Sequence, residues 1–177
     1  MNVKTLLYSS TISLVFVWMY SKRKTITNET ESKITNSEIS EGRQPYSIQM
    51  YDAIMKYSEM YNIPTRFAFG VAKVETNYDG PFDWRYNHKQ TSCVGALGPM
   101  QIMPSTCKLM WRKKSFTNEE LKNNIDFNVH TSMKLLRNLH DKYKDWKIVF
   151  GCYNTGRPMI NEYANRVYNH KINWNIN

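Results

Sequence analysis

The groups best suited to acid–base chemistry stand where apolar segments of this chain end. Residues 71–80, VAKVETNYDG, close the greasy run PTRFAFGVAKV on one glutamate, Glu75, before the chain turns polar. A carboxyl at the rim of an apolar pocket is penalised in its charged form, so it keeps its proton nearer neutrality and suits a general acid. An isolated glutamate at a helix end is more commonly a solvated side chain, so other groups must argue for a site. Asp79 and Asp83 follow in the next loop. Further on come GALGPMQIMPST at 95–106, CYNTG at 152–156 and YANRV at 163–167. Glycines let backbone approach a ligand closely. A structural turn explains Gly95 and Gly98 but gives no reason for Gln101, whose amide suits a polar ligand. Met100 and Met103 read as core packing by residue type. Tyr153 and Asn154 end the buried run KIVFGCYN, where polar side chains are costly unless bonded. Asn154 also suits a helix cap.

The elements that would position these groups are helices. In YSIQMYDAIMKYSEMYN, Ile48, Tyr51, Ile54 and Met55 recur at three- and four-residue steps and predict a first helix from residue 46. Pro64 opens a second, hydrophobic nearly all round and therefore central. Residues 77–94 show no sustained period and form a long loop. Its Phe82, Trp84 and Tyr86 either stack on a ligand or form a satellite cluster beneath the loop. GALGPMQIM predicts a tight hairpin or irregular turn. Helices are then expected over 105–112, 118–123 and Asp126 to Tyr143, with another in KIVFGCYN and a last one through Tyr168.

A net charge of +9 marks an anionic partner or surface. The basic residues are spread along the chain and form no dense arm, so no nucleic-acid partner is expected. Cys93, Cys107 and Cys152 lack metal-type spacing, and their odd number excludes a fully paired framework. A Cys93–Cys107 bridge is open to a domain outside the cytoplasm, and buried thiols are the ordinary alternative. His88, His130 and His140 have no ligand-like spacing, so neither a metal nor a cofactor is expected. Residues 6–20, LLYSSTISLVFVWMY, hold no charge and precede a polar stretch without aromatics. Residues 1–24 thus read as a membrane anchor or uncleaved signal-like segment, 25–45 as a flexible linker and 46–177 as the working domain. Lys22, Arg23 and Lys24 flank the anchor on the domain side, which by charge alone would favour a cytoplasmic domain.

Glu75 at its helix end, GALGPMQIMP, CYNTG and YANRV together resemble the catalytic domain of the soluble lytic transglycosylases, lysozyme-like enzymes that cut peptidoglycan. The resemblance covers about residues 46–170, and NNIDFNVHTSMKLL at 123–136 looks like the family's segment at the start of its long helix. Thr76 stands where serine is usual, Pro99 where leucine is common and Cys152 where alanine is common. The fold implied is mainly α, a lysozyme-like helical domain with a small β-hairpin or irregular substrate loop. The resemblance implies Glu75 as the single general acid and base, and Thr76, Met100, Gln101, Tyr153, Asn154 and Tyr163 as substrate-binding residues. Tyr153 and Asn154 would hold the N-acetyl group, and Tyr163 would orient or tune Glu75.

Most glycosidases use two carboxylates, with substrate-assisted enzymes an exception. Apart from Glu75, the matched motifs place none in a catalytic position. The activity implied is cleavage of the MurNAc–GlcNAc bond with closure of a 1,6-anhydro ring. Its partners would be peptidoglycan glycan strands, a membrane through the N-terminal segment, and proteins of a virion or a secretion or pilus machine. The domain would face the periplasm or cell wall, or travel in a phage particle. Two rivals remain: a hydrolytic muramidase similar to goose-type lysozyme using Asp79 or Asp83, and a silent membrane-anchored murein-binding protein.

Overall fold

The computed structural model describes residues 44–174. The expected anchor over 1–24, and the linker up to residue 43, lie outside the described residues. Among the described residues seven helices follow one another: α1 Tyr46–Met60, α2 Thr65–Thr76, α3 Pro104–Met110, α4 Asn118–Asn123, α5 Ile125–Tyr143, α6 Trp146–Thr155 and α7 Glu162–Tyr168.

α2 is the central element because Phe67 to Ala72 are buried without a break. α1 packs against it, and α7 lies across it and α6. α5 runs past α1 and α6 and carries α3 and α4 on its flank. The core is largely aromatic, with Phe67 edge-on to Phe150 at 5.1 Å and Trp146 stacked on Phe150 at 5.7 Å.

Local chemistry sets the boundaries. Asn124 starts α5 by accepting from the Phe127 amide, Asp145 starts α6 by accepting from Lys147 and Ile148, and Asn161 starts α7 by accepting from Ala164. α2 stops at Asn77, in the left-handed region with φ 57°. Asparagine reaches that conformation more readily than most residues. Behind α6 the returning chain passes so close that a side chain on Gly151 would meet the Met159 carbonyl at 1.6 Å.

The expected hairpin takes its irregular form. Antiparallel bridges join Thr91 to Leu97 and Leu97 to Ile102, and left-handed Gly95, Gly98 and Gln101 bend the chain between them. The 77–94 loop is pinned to the core. The Tyr78 hydroxyl donates to the Ser47 carbonyl at 2.7 Å, and the buried His88 ring lies 4.0 Å from that of Tyr46. Tyr86 is 7% exposed and serves as an anchor rather than a stacking platform. Phe82 and Trp84 meet edge to face at 6.4 Å, with Trp84 exposed. Cys93 is an exposed thiol, whereas Cys107 and Cys152 are buried thiols. His130 stacks on Tyr57 and His140 on Trp146.

Candidate active site

Glu75 occupies the last turn of α2 with its carboxyl half-buried. The Tyr163 hydroxyl donates to its Oε1 at 2.5 Å, and among the described residues this is its one hydrogen-bond partner. Burial pushes the carboxyl up to about 7, against a smaller pull downwards from Tyr163, which favours the charged form. Tyr163 and Tyr153 are held well above the ordinary phenol range, first by burial and then by the Glu75 charge. Both therefore remain hydroxyl donors beside it.

Two networks fix the loop opposite Glu75. Thr76 is buried, and its hydroxyl donates to the Pro99 carbonyl at 2.8 Å and lies 2.8 Å from the Tyr86 hydroxyl. The residue after Glu75 thus ties α2 to both the 77–94 loop and the glycine-rich turn. Gln90 adds a strut: its side-chain amide donates to the Thr76 carbonyl at 3.2 Å, and its own carbonyl accepts the Gly98 amide at 2.9 Å.

The second network starts from Asn128, which is fully buried on α5. Its Oδ1 accepts from the Met100 amide at 2.9 Å, and its Nδ2 donates to the carbonyls of Leu97 at 2.9 Å and Leu121 at 2.8 Å. A side chain at Gly98, where φ is 73°, would strike the Asn128 amide at 2.6 Å, so this close approach needs glycine. From the other side, the Tyr153 hydroxyl donates to the Met100 carbonyl at 2.6 Å and sits 2.9 Å from the Ser132 hydroxyl.

The resemblance-based residues therefore differ in what they present. Glu75, Tyr163 and Tyr153 form one cluster. Met100 has no exposed surface and holds the turn through its backbone. Gln101 donates its side-chain amide to the Gly98 carbonyl at 2.8 Å, while its amide oxygen has no protein partner among the described residues. Asn154 is exposed in the last turn of α6, where its Oδ1 accepts from Asn161 at 3.1 Å. It does not cap the helix, because Gly156 closes it in the left-handed conformation.

Asp79 is paired with Lys73 at 2.5 Å. Lys73 and Glu75 are two residues apart, about 200° around a helix, so this pair projects from the other side of α2. Asp83 exerts its charge on Tyr78 and Tyr86. Neither aspartate contributes to the shift at Glu75. Sequence reasoning missed Asn128, Ser132 and Gln90. Asn128, Thr131 and Ser132, at helical spacing in a stretch of apolar residues, were the available signal.

Comparison with known proteins bears on this arrangement. The model of the family described as "Transglycosylase SLT domain" matches residues 52–176. A transglycosylase of Enterobacteria phage PRD1 is 29% identical over 132 residues, which make up 74% of this chain and 44% of that protein. The chain thus spans less than half the length of that relative. Among solved structures, the 70-kDa soluble lytic transglycosylase of Escherichia coli superposes with a TM-score of 0.52 at 22% identity, over 66% of this chain and 18% of that one. A complex of the 70-kDa enzyme with bulgecin A gives the same figures. At this identity the likeness establishes the lysozyme-like fold.

Proposed function

The chain belongs to the transglycosylase SLT family, and from that premise we propose that it is a peptidoglycan lytic transglycosylase with Glu75 as its single acid and base. The observation that carries this reading is a carboxyl that burial holds protonated to about pH 7 and that has a tyrosine hydroxyl, rather than a second carboxylate, beside it.

In the first step the protonated Glu75 gives its proton to the oxygen linking MurNAc to GlcNAc. The C1–O bond breaks with its electron pair going to that oxygen, and the MurNAc acetamido group supports the cationic C1. In the second step the Glu75 carboxylate takes the proton of the MurNAc 6-hydroxyl, whose oxygen bonds to C1 and closes the 1,6-anhydro ring. Glu75 ends protonated again, and no water is consumed. A nucleophile within the same sugar has a very high effective concentration, which makes a water-activating base unnecessary.

Tyr163 fits the task of orienting the carboxyl and stabilising it while it is charged between the two steps. Tyr153, Asn154 and the Gln101 amide oxygen are the groups assigned to the substrate's acetamido and neighbouring hydroxyls. Thr76 and Met100 act through the loop they hold. The hydrolytic rival is weakened because Asp79 is occupied by Lys73 on another side of α2. The phage relative favours use in a virion, for local opening of the wall during infection, over use in a secretion or pilus system. The N-terminal apolar run would then tether the domain to a membrane.

The test is digestion of purified murein by wild type and Glu75→Gln side by side, with mass spectrometry of the products. Anhydro-muramyl ends from wild type alone support the reading. Reducing ends, or equal lysis by the variant, would sink it.

A further inference from the structure

The other side of α5 carries a feature that the site does not use. From Trp84 to Asn118 the chain contains no Asp or Glu, and it places Lys108, Arg112, Lys113 and Lys114 within seven residues. In the fold Lys108 lies within α3, and Arg112, Lys113 and Lys114 follow it as a ridge that, with Lys134 and Asn138 of α5, lines a groove of about 730 Å³. Lys114 has an ion pair, with Glu120 at 3.5 Å. Lys108, Arg112, Lys113 and Lys134 have none among the described residues. Leu109, 62% exposed, stands among them. A helix end that shows cations around an uncovered leucine is built for an interface that is anionic outside and apolar just beneath.

We propose that this ridge docks on the surface of an anionic phospholipid bilayer. Two observations select lipid over a polyanionic strand or a wall stem peptide. Trp111 offers no free ring face for a base or sugar on the side where Lys134 Nζ sits 3.8 Å from its centroid, and its indole N–H is bonded to Thr131 at 2.9 Å. The exposed leucine is of no use to a purely charged partner, whereas the acyl boundary accepts it. The placement is also productive. Ser132, bonded to Tyr153, and Lys134 are about 200° apart around α5, so a ridge on the bilayer leaves Glu75 turned away from it. This surface does not depend on the role of Glu75.

The experiment is flotation of the full chain with vesicles of about 30% phosphatidylglycerol in phosphatidylcholine and with vesicles of phosphatidylcholine alone. The N-terminal run contributes equally in every variant. Wild type should prefer the anionic vesicles. Arg112→Gln/Lys113→Gln/Lys134→Gln should lower that preference roughly a hundredfold, from about fivefold per charge. Leu109→Ser should lower binding to anionic vesicles about tenfold. Lys142→Gln/Lys147→Gln/Lys171→Gln, which removes three charges elsewhere, should change it less than about threefold. Equal losses from the two triple variants would reduce the effect to net charge and overturn the proposal. So would equal wild-type binding to the two vesicle types. Indifference to Leu109→Ser, or loss of binding to purified sacculi in the ridge variant with vesicle binding intact, would assign the ridge to a polyanion and overturn it too.

Discussion

The two sides of α5 follow opposite rules. Toward the cleft, Asn128 and Ser132 are polar groups with no exposed surface, and each is bonded to the loop or tyrosine that faces Glu75. On the other side, Arg112 and Lys113 are exposed charges with no ion pair among the described residues, and the partly exposed Lys134 meets only the Trp111 ring face. Burying a polar group is tolerable only when it is bonded, so the cleft side is rigid by necessity. Exposed charges cost little and stabilise little, so the outer side is free to serve an interface. The lesson is that the charges of the outer ridge sit where no packing demands them.

Cutting the cleft side should do the most damage. Glu75→Gln should lower murein lysis on the order of a thousandfold in a dye-release assay, since it removes the proposed proton donor. The same variant should sharpen the contrast through stability. The Glu75 carboxyl binds its proton more tightly folded, at about 7, than unfolded, near 4.5. Its contribution is complete below the lower value and lost as pH rises through the higher one. Glu75→Gln should therefore be more stable than wild type at pH 8, by on the order of 3 kcal/mol at most, and the gain should vanish near pH 4 in denaturant titrations.

Asn128→Ala comes next. It strands the Met100 amide and takes a donor from the Leu121 carbonyl and from the Leu97 carbonyl, which keeps the Ile102 amide, so calorimetry should show a loss of about 3 kcal/mol, or roughly 10 °C. Turnover should fall as the glycine-rich turn loosens. Tyr163→Phe should cost about tenfold in rate and also move the basic limb of the pH–rate profile upwards, because the hydroxyl that favours the charged carboxyl is gone. An unmoved limb would mean that Tyr163 does not bond Glu75 during turnover.

Small effects belong to the exposed pairs. Asp79→Asn should leave turnover within about twofold and stability within about 1 kcal/mol, because the Lys73 pair is solvated. A large loss would revive a water-activating aspartate and break the contrast. Lys134→Gln should leave turnover unchanged.

Much of the helical frame was legible because its signals are local. α4 falls on the expected 118–123, and the seam at Glu75 follows from an apolar run ending in polar turn residues. The 77–94 loop was harder to read. Tyr86 and Trp84 look alike in sequence, and the Thr76 hydroxyl, ten residues back, and the Tyr78 ring at 4.9 Å make one an anchor. Asp79 stayed open as the rival's water-activating group because its partner, Lys73, lies across the left-handed turn at Asn77, a geometry no periodicity announces. Asn128 escaped for a similar reason: the backbone groups it satisfies belong to a turn about thirty residues away.

The most direct test of a lone carboxyl acting with an internal alcohol is digestion of murein in water enriched in oxygen-18, with mass spectrometry of the new MurNAc ends. Anhydro ends free of the label are required if the sugar supplies its own nucleophile. Reducing ends carrying the label at C1 would contradict it and return the second carboxylate to the site.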